Sequence, residues 1–271
     1  MLGKLVKYDF KALNRYLIVI HGMLLITAVL GRLFFVGRFV EHPNDGFSDF
    51  SAVVMMIGIL VYVILFMTAV FGTLLLIAIH FYKNLYSDEG YLTHTLPVSR
   101  GQLLISKAVS GSVWMFVDVV LVISSILILV LYKPIIQDFI THKDEVLTAM
   151  GFPSTVGYGK IFWALMIIFM ISSVSNVMML YVSITAGQLF SNHRVLGAIV
   201  VYFCVNMIIS VISGAIGAAY SVSAVMNAID ETFLYQFYCK TYLFALVFEL
   251  ITIAGSSVVT YLLMQKKLNL N

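Results

Sequence analysis

The chain has 271 residues, 61% of them hydrophobic and only 11% charged, with a net charge of +3 and a mean hydropathy of +1.02. A soluble globular domain carries about 25% charged residues, so this composition excludes one, and no nucleic-acid partner is expected. Apolar runs long enough for a hydrocarbon core of about 30 Å recur along the length. Backbone groups in lipid must be satisfied internally, which predicts helices; a barrel would show short segments of alternating polarity.

The opening "MLGKLVKYDFKALNRY" places Lys4, Lys7, Lys11 and Arg15 on one helical face and Leu2, Leu5, Val6, Phe10, Leu13 and Leu17 on the other. This predicts an amphipathic interface helix over 1–15, lying along the inner leaflet with its basic face toward headgroups or a partner. Asp9 interrupts the apolar face and requires a partner. The apolar run that follows is too long for the h-region of a cleavable signal, and no A-x-A-like site follows it. Six spans are expected, over 16–36, 52–81, 102–132, 161–190, 195–225 and 241–264.

Between the second and third runs the chain turns polar, in "KNLYSDEGYLTHTLPVSRGQLLISK". Ordinary helix connections take about 2–8 residues, and this insert is much longer. Leu92, Leu96 and Val98 alternate with polar residues, Pro97 ends any helix, and Ser99 with Gln102 has the spacing of a capping box. The segment therefore reads as a short amphipathic helix, a break, and a well-capped new span.

Asp118 lies in the third run and Glu249 in the sixth. Buried acids are costly in a membrane and face a partner, the bundle interior or water. Ser172, Ser173, Ser175 and Asn176 in the fourth run are candidate partners, with interhelical packing or a translocation path as the roles. The fifth run presents small residues at Ser210, Gly214 and Ala218 and again at Ser213, Gly217 and Ser221. Phe233, Tyr235, Phe237, Tyr238 and Tyr242 fall where an outer aromatic belt belongs. The segment 133–160 reads as the longest loop.

An even number of spans puts both termini on one side. That side holds Lys4, Lys7, Lys11, Arg15, Lys83, Arg100, Lys107, Arg194, Lys266 and Lys267, ten of the 16 Lys and Arg. The other side holds Arg32, Arg38, Lys133, Lys143, Lys160 and Lys240, with Glu41, Asp45, Asp49, Asp138, Asp144, Glu145, Asp230 and Glu231. The positive-inside rule then predicts cytoplasmic termini.

"KYDFKAL" and "NLYSDEGYLTHTLPVSRGQLLISK" resemble the ABC-2-type permeases of bacterial ATP-binding-cassette transporters, with closest similarity to small Gram-positive permeases for peptide export and bacteriocin resistance. In layout the resemblance spans 1–271 as one transmembrane domain; in motif it covers 4–15 and 83–107. It implies a multi-pass protein of the bacterial plasma membrane and a type V exporter architecture, with a coupling helix between spans two and three that docks into a separate ATPase subunit. Carried onto this sequence, the ATPase-coupling residues are Asp88, Glu89, Gly90, Tyr91, Leu92, His94, Leu96 and Pro97. A second cytoplasmic contact would fall at "LFSNHRVLG" and a short outer element at "AIDETFLYQFYCK". The implied partners are the ABC ATPase subunit, a second permease copy or paralogue, membrane lipid and an exported amphipathic peptide, antimicrobial or lipid-like compound.

No G-x-x-x-x-G-K-[ST], H-E-x-x-H or G-x-S-x-G is present, so no cofactor, metal or covalent chemistry is expected on this chain; ATP and Mg belong to the partner ATPase. The six histidines are scattered, and Cys204 and Cys239 make no disulfide framework or CxxC signal. The competing expectation is an ion-coupled secondary transporter using Asp118 and Glu249. That reading predicts inverted repeats, and the halves show no convincing repeat.

Overall fold

The computed structural model describes residues 2–36, 49–95, 97–153, 155–190, 192–226 and 233–266. These residues form eight α-helices: α1 Leu2–Gly31, α2 Asp49–Tyr86, α3 Asp88–Thr95, α4 Arg100–Val130, α5 Lys133–Ala149, α6 Tyr158–Gly187, α7 Arg194–Met226 and α8 Phe233–Lys266. A π-helical turn, Arg32–Val36, closes α1. No strand occurs among the described residues. Six helices (α1, α2, α4, α6, α7 and α8) are long and apolar enough to cross a membrane. The chain is an all-α membrane protein of six spans.

Side-chain contacts at helix ends fix the relative directions within three pairs of spans. Tyr86 Oη donates to Thr185 Oγ1 at 3.0 Å, joining the ends of α2 and α6. Arg100 Nη1 donates to the Met264 and Gln265 carbonyls at 2.9 and 3.0 Å, joining the start of α4 to the end of α8. Arg32 Nη1 donates to the Ile128 carbonyl at 2.6 Å and also to that of Leu131, joining the ends of α1 and α4. The last carbonyls of a helix lack intrahelical partners and carry partial negative charge, so each arginine satisfies orphan acceptors and opposes a helix dipole. Lys4, Lys7, Lys11, Arg15, Lys83, Arg100, Lys107 and Arg194 gather at one end of the bundle, called here the basic end.

Two expectations change at this level. The interface helix and the first span form one uninterrupted helix, α1, with Lys4, Lys7, Lys11 and Arg15 exposed and Asp9, Leu13, Leu17 and His21 buried. The basic stripe therefore runs along the axis of a span. The expected loop 133–160 instead contains α5, entered by Pro134 in its first turn and kinked at His142. Its end is set by Gly151 at φ +81°: Phe152 N–H donates to the Leu147 carbonyl at 2.9 Å and Gly151 N–H to that of Thr148 at 2.9 Å. This is the paired bonding that a glycine in the left-handed region allows at a helix C-terminus. A side chain at Gly151 would also meet Leu234 Cβ at 2.6 Å. His142 Nδ1 lies 3.0 Å from the Asp138 carbonyl and 3.1 Å from its carboxylate; the carbonyl, then the carboxylate, raise the imidazole above its ordinary pKa.

The last span begins at Phe233, two turns before the sequence reading. Of the expected outer element, residues 228–232 lie outside the described residues and the remainder belongs to α8. Part of the aromatic belt packs on protein: Phe152 stacks on Tyr238 at 5.2 Å, and Tyr242 Oη donates to the Ala164 carbonyl at 3.0 Å.

The core is concentrated at the basic end. Leu13, Leu17, Ile77, Phe81, Leu85, Leu103, Leu104, Val177 and Tyr181 form one buried cluster, and Leu24, Ala69 and Val122 a smaller one farther along. Phe81 stacks on Tyr181 with ring centroids 3.8 Å apart and planes 9° apart. Tyr181 Oη donates to the Lys107 carbonyl at 2.9 Å. That contact needs Gly111, because a Cβ there would lie 2.8 Å from Tyr181 Oη and 3.2 Å from Ile77 and Val177.

Gly111→Val should overpack this junction and destabilise the protein by about 1–3 kcal/mol, read as a lowered midpoint of thermal unfolding in detergent. An unchanged midpoint would show that α2, α4 and α6 do not close on Gly111.

Candidate functional site

The site is built at the basic end from a short helix that projects and a buried polar group beneath it. Ser99 accepts from Gln102 N–H at 3.3 Å while Gln102 Oε1 accepts from Ser99 N–H at 3.2 Å. The capping box therefore starts α4 immediately after the break that ends α3. At its other end α3 is folded onto α2. Gly90 N–H donates to the Ser87 carbonyl at 2.7 Å, and a side chain at Gly90 would meet the Leu85 carbonyl carbon and oxygen at 2.7 Å.

The expected coupling residues divide accordingly. Glu89, Leu92 and Pro97 are exposed, Leu92 at 68%. Gly90 is buried and serves the α2–α3 contact. Asp88, Tyr91 and His94 lie on α3, and Leu96 lies outside the described residues, as do Arg38, Glu41, Asp45, Asp230, Glu231 and Lys267 of the charge pattern. Beside the end of α2, a cleft of about 680 Å³ is lined by Tyr82, Asn192, His193, Arg194, Val195, Leu196 and Ile199. It contains part of the segment expected as a second cytoplasmic contact.

Below α3 the chain buries a carboxylate. Asp9 is 7% exposed and Lys107 4% exposed, and Lys107 Nζ donates to Asp9 Oδ1. Ser106 Oγ donates to Asp9 Oδ2 at 2.5 Å. His80 Nε2 lies 3.1 Å from Asp9 Oδ1 and 3.3 Å from Lys107 Nζ, and Asn84 Nδ2 lies 3.3 Å from His80 Nδ1. Lys107 and Ser106 from α4 and the His80 ring from α2 thus meet one carboxylate from α1. Glu89 on α3 adds to the field of Asp9 at Lys107.

The two intramembrane acids separate in the structure. Glu249 is half-buried and accepts from Ser172 Oγ at 3.0 Å, a partner that lies in the expected set. Asp118 does not meet that set. Its partners are His21 Nε2 at 2.7 Å and Thr73 Oγ1 at 3.1 Å, from α1 and α2. Ser173 and Asn176 instead bond backbone carbonyls of their own helix.

Sequence reasoning missed Lys107, His80, Ser106, His21 and Thr73. Lys107 is an i+7 neighbour of Arg100 on a capped helix and read as surface charge. The signal that marks it is position: it follows the capping box by nearly two turns, on the face that holds Leu103 and Leu104.

Removing one member of a buried ion pair leaves an uncompensated charge and costs about 3–5 kcal/mol, whereas replacing both with apolar residues is far milder. Asp9→Ala and Lys107→Met are each expected to lower stability by that amount in a denaturation series. The double variant Asp9→Leu with Lys107→Met should recover most of the loss. Equal losses from single and double variants would show that the charges do not depend on each other.

No protein-family model, curated protein or solved structure matches the chain.

Proposed function

We propose that the chain is the membrane-spanning permease subunit of an ATP-driven exporter, with its basic end in the cytoplasm. The observation that carries this reading is α3: a short exposed helix, anchored by its glycine to α2 and released by a capping box into α4. An isolated helix of this length is marginal in water, so its value lies in being held on two spans. A force applied to α3 reaches α2 and α4 directly, and through Asp9 it reaches α1.

The exposed Glu89, Leu92 and Pro97, with the cleft at Tyr82 and 192–199, offer a surface to a separate ATPase subunit. That subunit would bind ATP and Mg and carry out hydrolysis. The exported compound is an amphipathic peptide, antimicrobial or lipid-like molecule, and a second permease copy or paralogue completes the path. ATP binding would shift the population between inward- and outward-open arrangements by its differential affinity for the two. The concentration of Lys and Arg at the basic end supports the orientation.

Two measurements test the reading. Single cysteines at Ser87 and Thr148, in a background without Cys204 and Cys239, are expected to react with an impermeant reagent on intact cells only at position 148. Reaction at 87 alone would reverse the orientation. Tyr91→Ala with Leu92→Ala removes two apolar side chains, each worth about 1.5–3 kcal/mol when fully buried at an interface. Half that sum weakens association tenfold or more. The double variant should insert and keep its thermal stability while losing bound ATPase and transport. Retention of both at the wild-type level would show that α3 does not couple the chain to an ATPase.

A further inference from the structure

Along the seam between α1 and α4, two ionisable side chains meet away from water. His21 is 2% and Asp118 4% exposed, and the function proposed above uses neither. They lie about 18 Å along α1 from Asp9, within the apolar run of the first span. Trp114 lies against the His21 ring at 6.4 Å, and its Nε1 has no partner among the described residues.

The atoms around the pair fix its proton count. His21 Nδ1 is 2.8 Å from the Leu17 carbonyl, which can only accept, so Nδ1 carries a proton. His21 Nε2 and Asp118 Oδ1 are 2.7 Å apart. Two lone pairs facing each other at that distance repel, so a proton lies between them. With that proton nearer nitrogen the pair is an imidazolium and a carboxylate; nearer oxygen it is an imidazole and a carboxylic acid. Both forms are neutral overall. Loss of the proton to water leaves a net charge of −1 in an apolar seam, and gain of a second leaves +1, and either is costly there.

We propose that His21 and Asp118 form an intramembrane proton-binding site, holding one proton between Nε2 and Oδ1 as a condition of α1 packing on α4. The groups that face it are Thr73 from α2 and Trp114 from α4, neither of which changes charge near neutrality. The nearest ionisable groups along the same three helices are Arg15 and Tyr16 on α1, His80 on α2 and Lys107 on α4, with Asp9 farther along α1. The two side chains share that proton, so they act as one unit. The packed seam is stable where the unit holds one proton, and stability falls as pH rises through loss of that proton or falls through gain of another. The site does not depend on the ATPase reading: failure here leaves α3 docking untouched, and failure of docking leaves this titration untouched.

The test is thermal unfolding of the purified full chain in lipid nanodiscs across a pH series, for wild type, Asp118→Asn, His21→Gln and the double variant. The double variant carries every other titrating group and sets the baseline. Relative to it, wild type should lose stability on both the acid and alkaline sides. Asp118→Asn should lose only the alkaline decline, because the amide needs no shared proton. His21→Gln should become more stable on acidification, because protonation neutralises the stranded carboxylate. Infrared difference spectra give a second readout on the folded proteins: the Asp118 carboxyl signal should vanish in Asp118→Asn and change its pH dependence in His21→Gln. An Asp118 signal that titrates at the same pH with and without His21, or four superimposable stability profiles, overturns the proposal.

Discussion

The ion pair between Asp9 and Lys107 sets the register of the helices at the basic end. A carboxylate on an otherwise apolar helix face can be buried only where a cation and further donors meet it. Lys107 and Ser106 come from α4 and His80 from α2, so one side chain of α1 fixes two neighbours. His21 and Asp118 repeat the constraint farther along. Asp9 to His21 and Lys107 to Asp118 span almost the same length on helices that run parallel, so both pairs close together. A slip of one turn would strand ionisable groups at both levels, a penalty far larger than any gain from apolar contacts. Buried ionic groups contribute little net stability but strongly disfavour wrong registers.

The helix ends follow the same logic with arginine in place of lysine. Arg100 reaches the last carbonyls of α8 and Arg32 those of α4. Each lies at the end of the bundle where the acceptors of another helix run out. The capping box at Ser99 and the glycine turn at Gly151 complete the pattern at α4 and α5. Among the described residues, polar contacts between helices include those at helix termini, at two levels of the α1–α4 seam, and at Glu249 with Ser172 between α6 and α8. The remaining surface is left to lipid, where apolar exposure carries no penalty.

The six spans were legible because length and apolarity are one-dimensional properties of the sequence, as was the capping box at Ser99 and Gln102. The amphipathic face of α1 was legible from the spacing of Lys4, Lys7, Lys11 and Arg15. That α1 continues without a break into the span was not, because no residue between Arg15 and Leu17 forces or forbids a bend. α5 escaped notice because its mixed composition hides an amphipathic pattern behind Pro134 and Gly151, both of which read as loop residues. The partners of Asp9 and Asp118 lie far away along the chain, and only helix packing brings them together. Ser172, which bonds Glu249, lies in a serine-rich stretch that is conspicuous on a span. His21 and Thr73 are single polar residues in apolar runs, with nothing local to mark them.

Tyr181 joins the two parts of the bundle. α1, α2 and α4 are held together by charge and hydrogen bonds, and α6 joins them through Tyr181, which stacks on Phe81 and donates to the Lys107 carbonyl, and through the bond from Tyr86 to Thr185. The phenol and the ion pair therefore act on opposite ends of the same lysine, one at its backbone and the other at its ammonium. A displacement of α4 at Lys107 is felt by Asp9 on α1 and by Tyr181 on α6 at once. Gly111 keeps this junction close, since any side chain there would push Tyr181 from the backbone it bonds. Beyond it, α7 rests mainly on α6 and exposes most of its apolar surface. The fastening is therefore tightest among α1, α2, α4 and α6 at the basic end and loosest at α7.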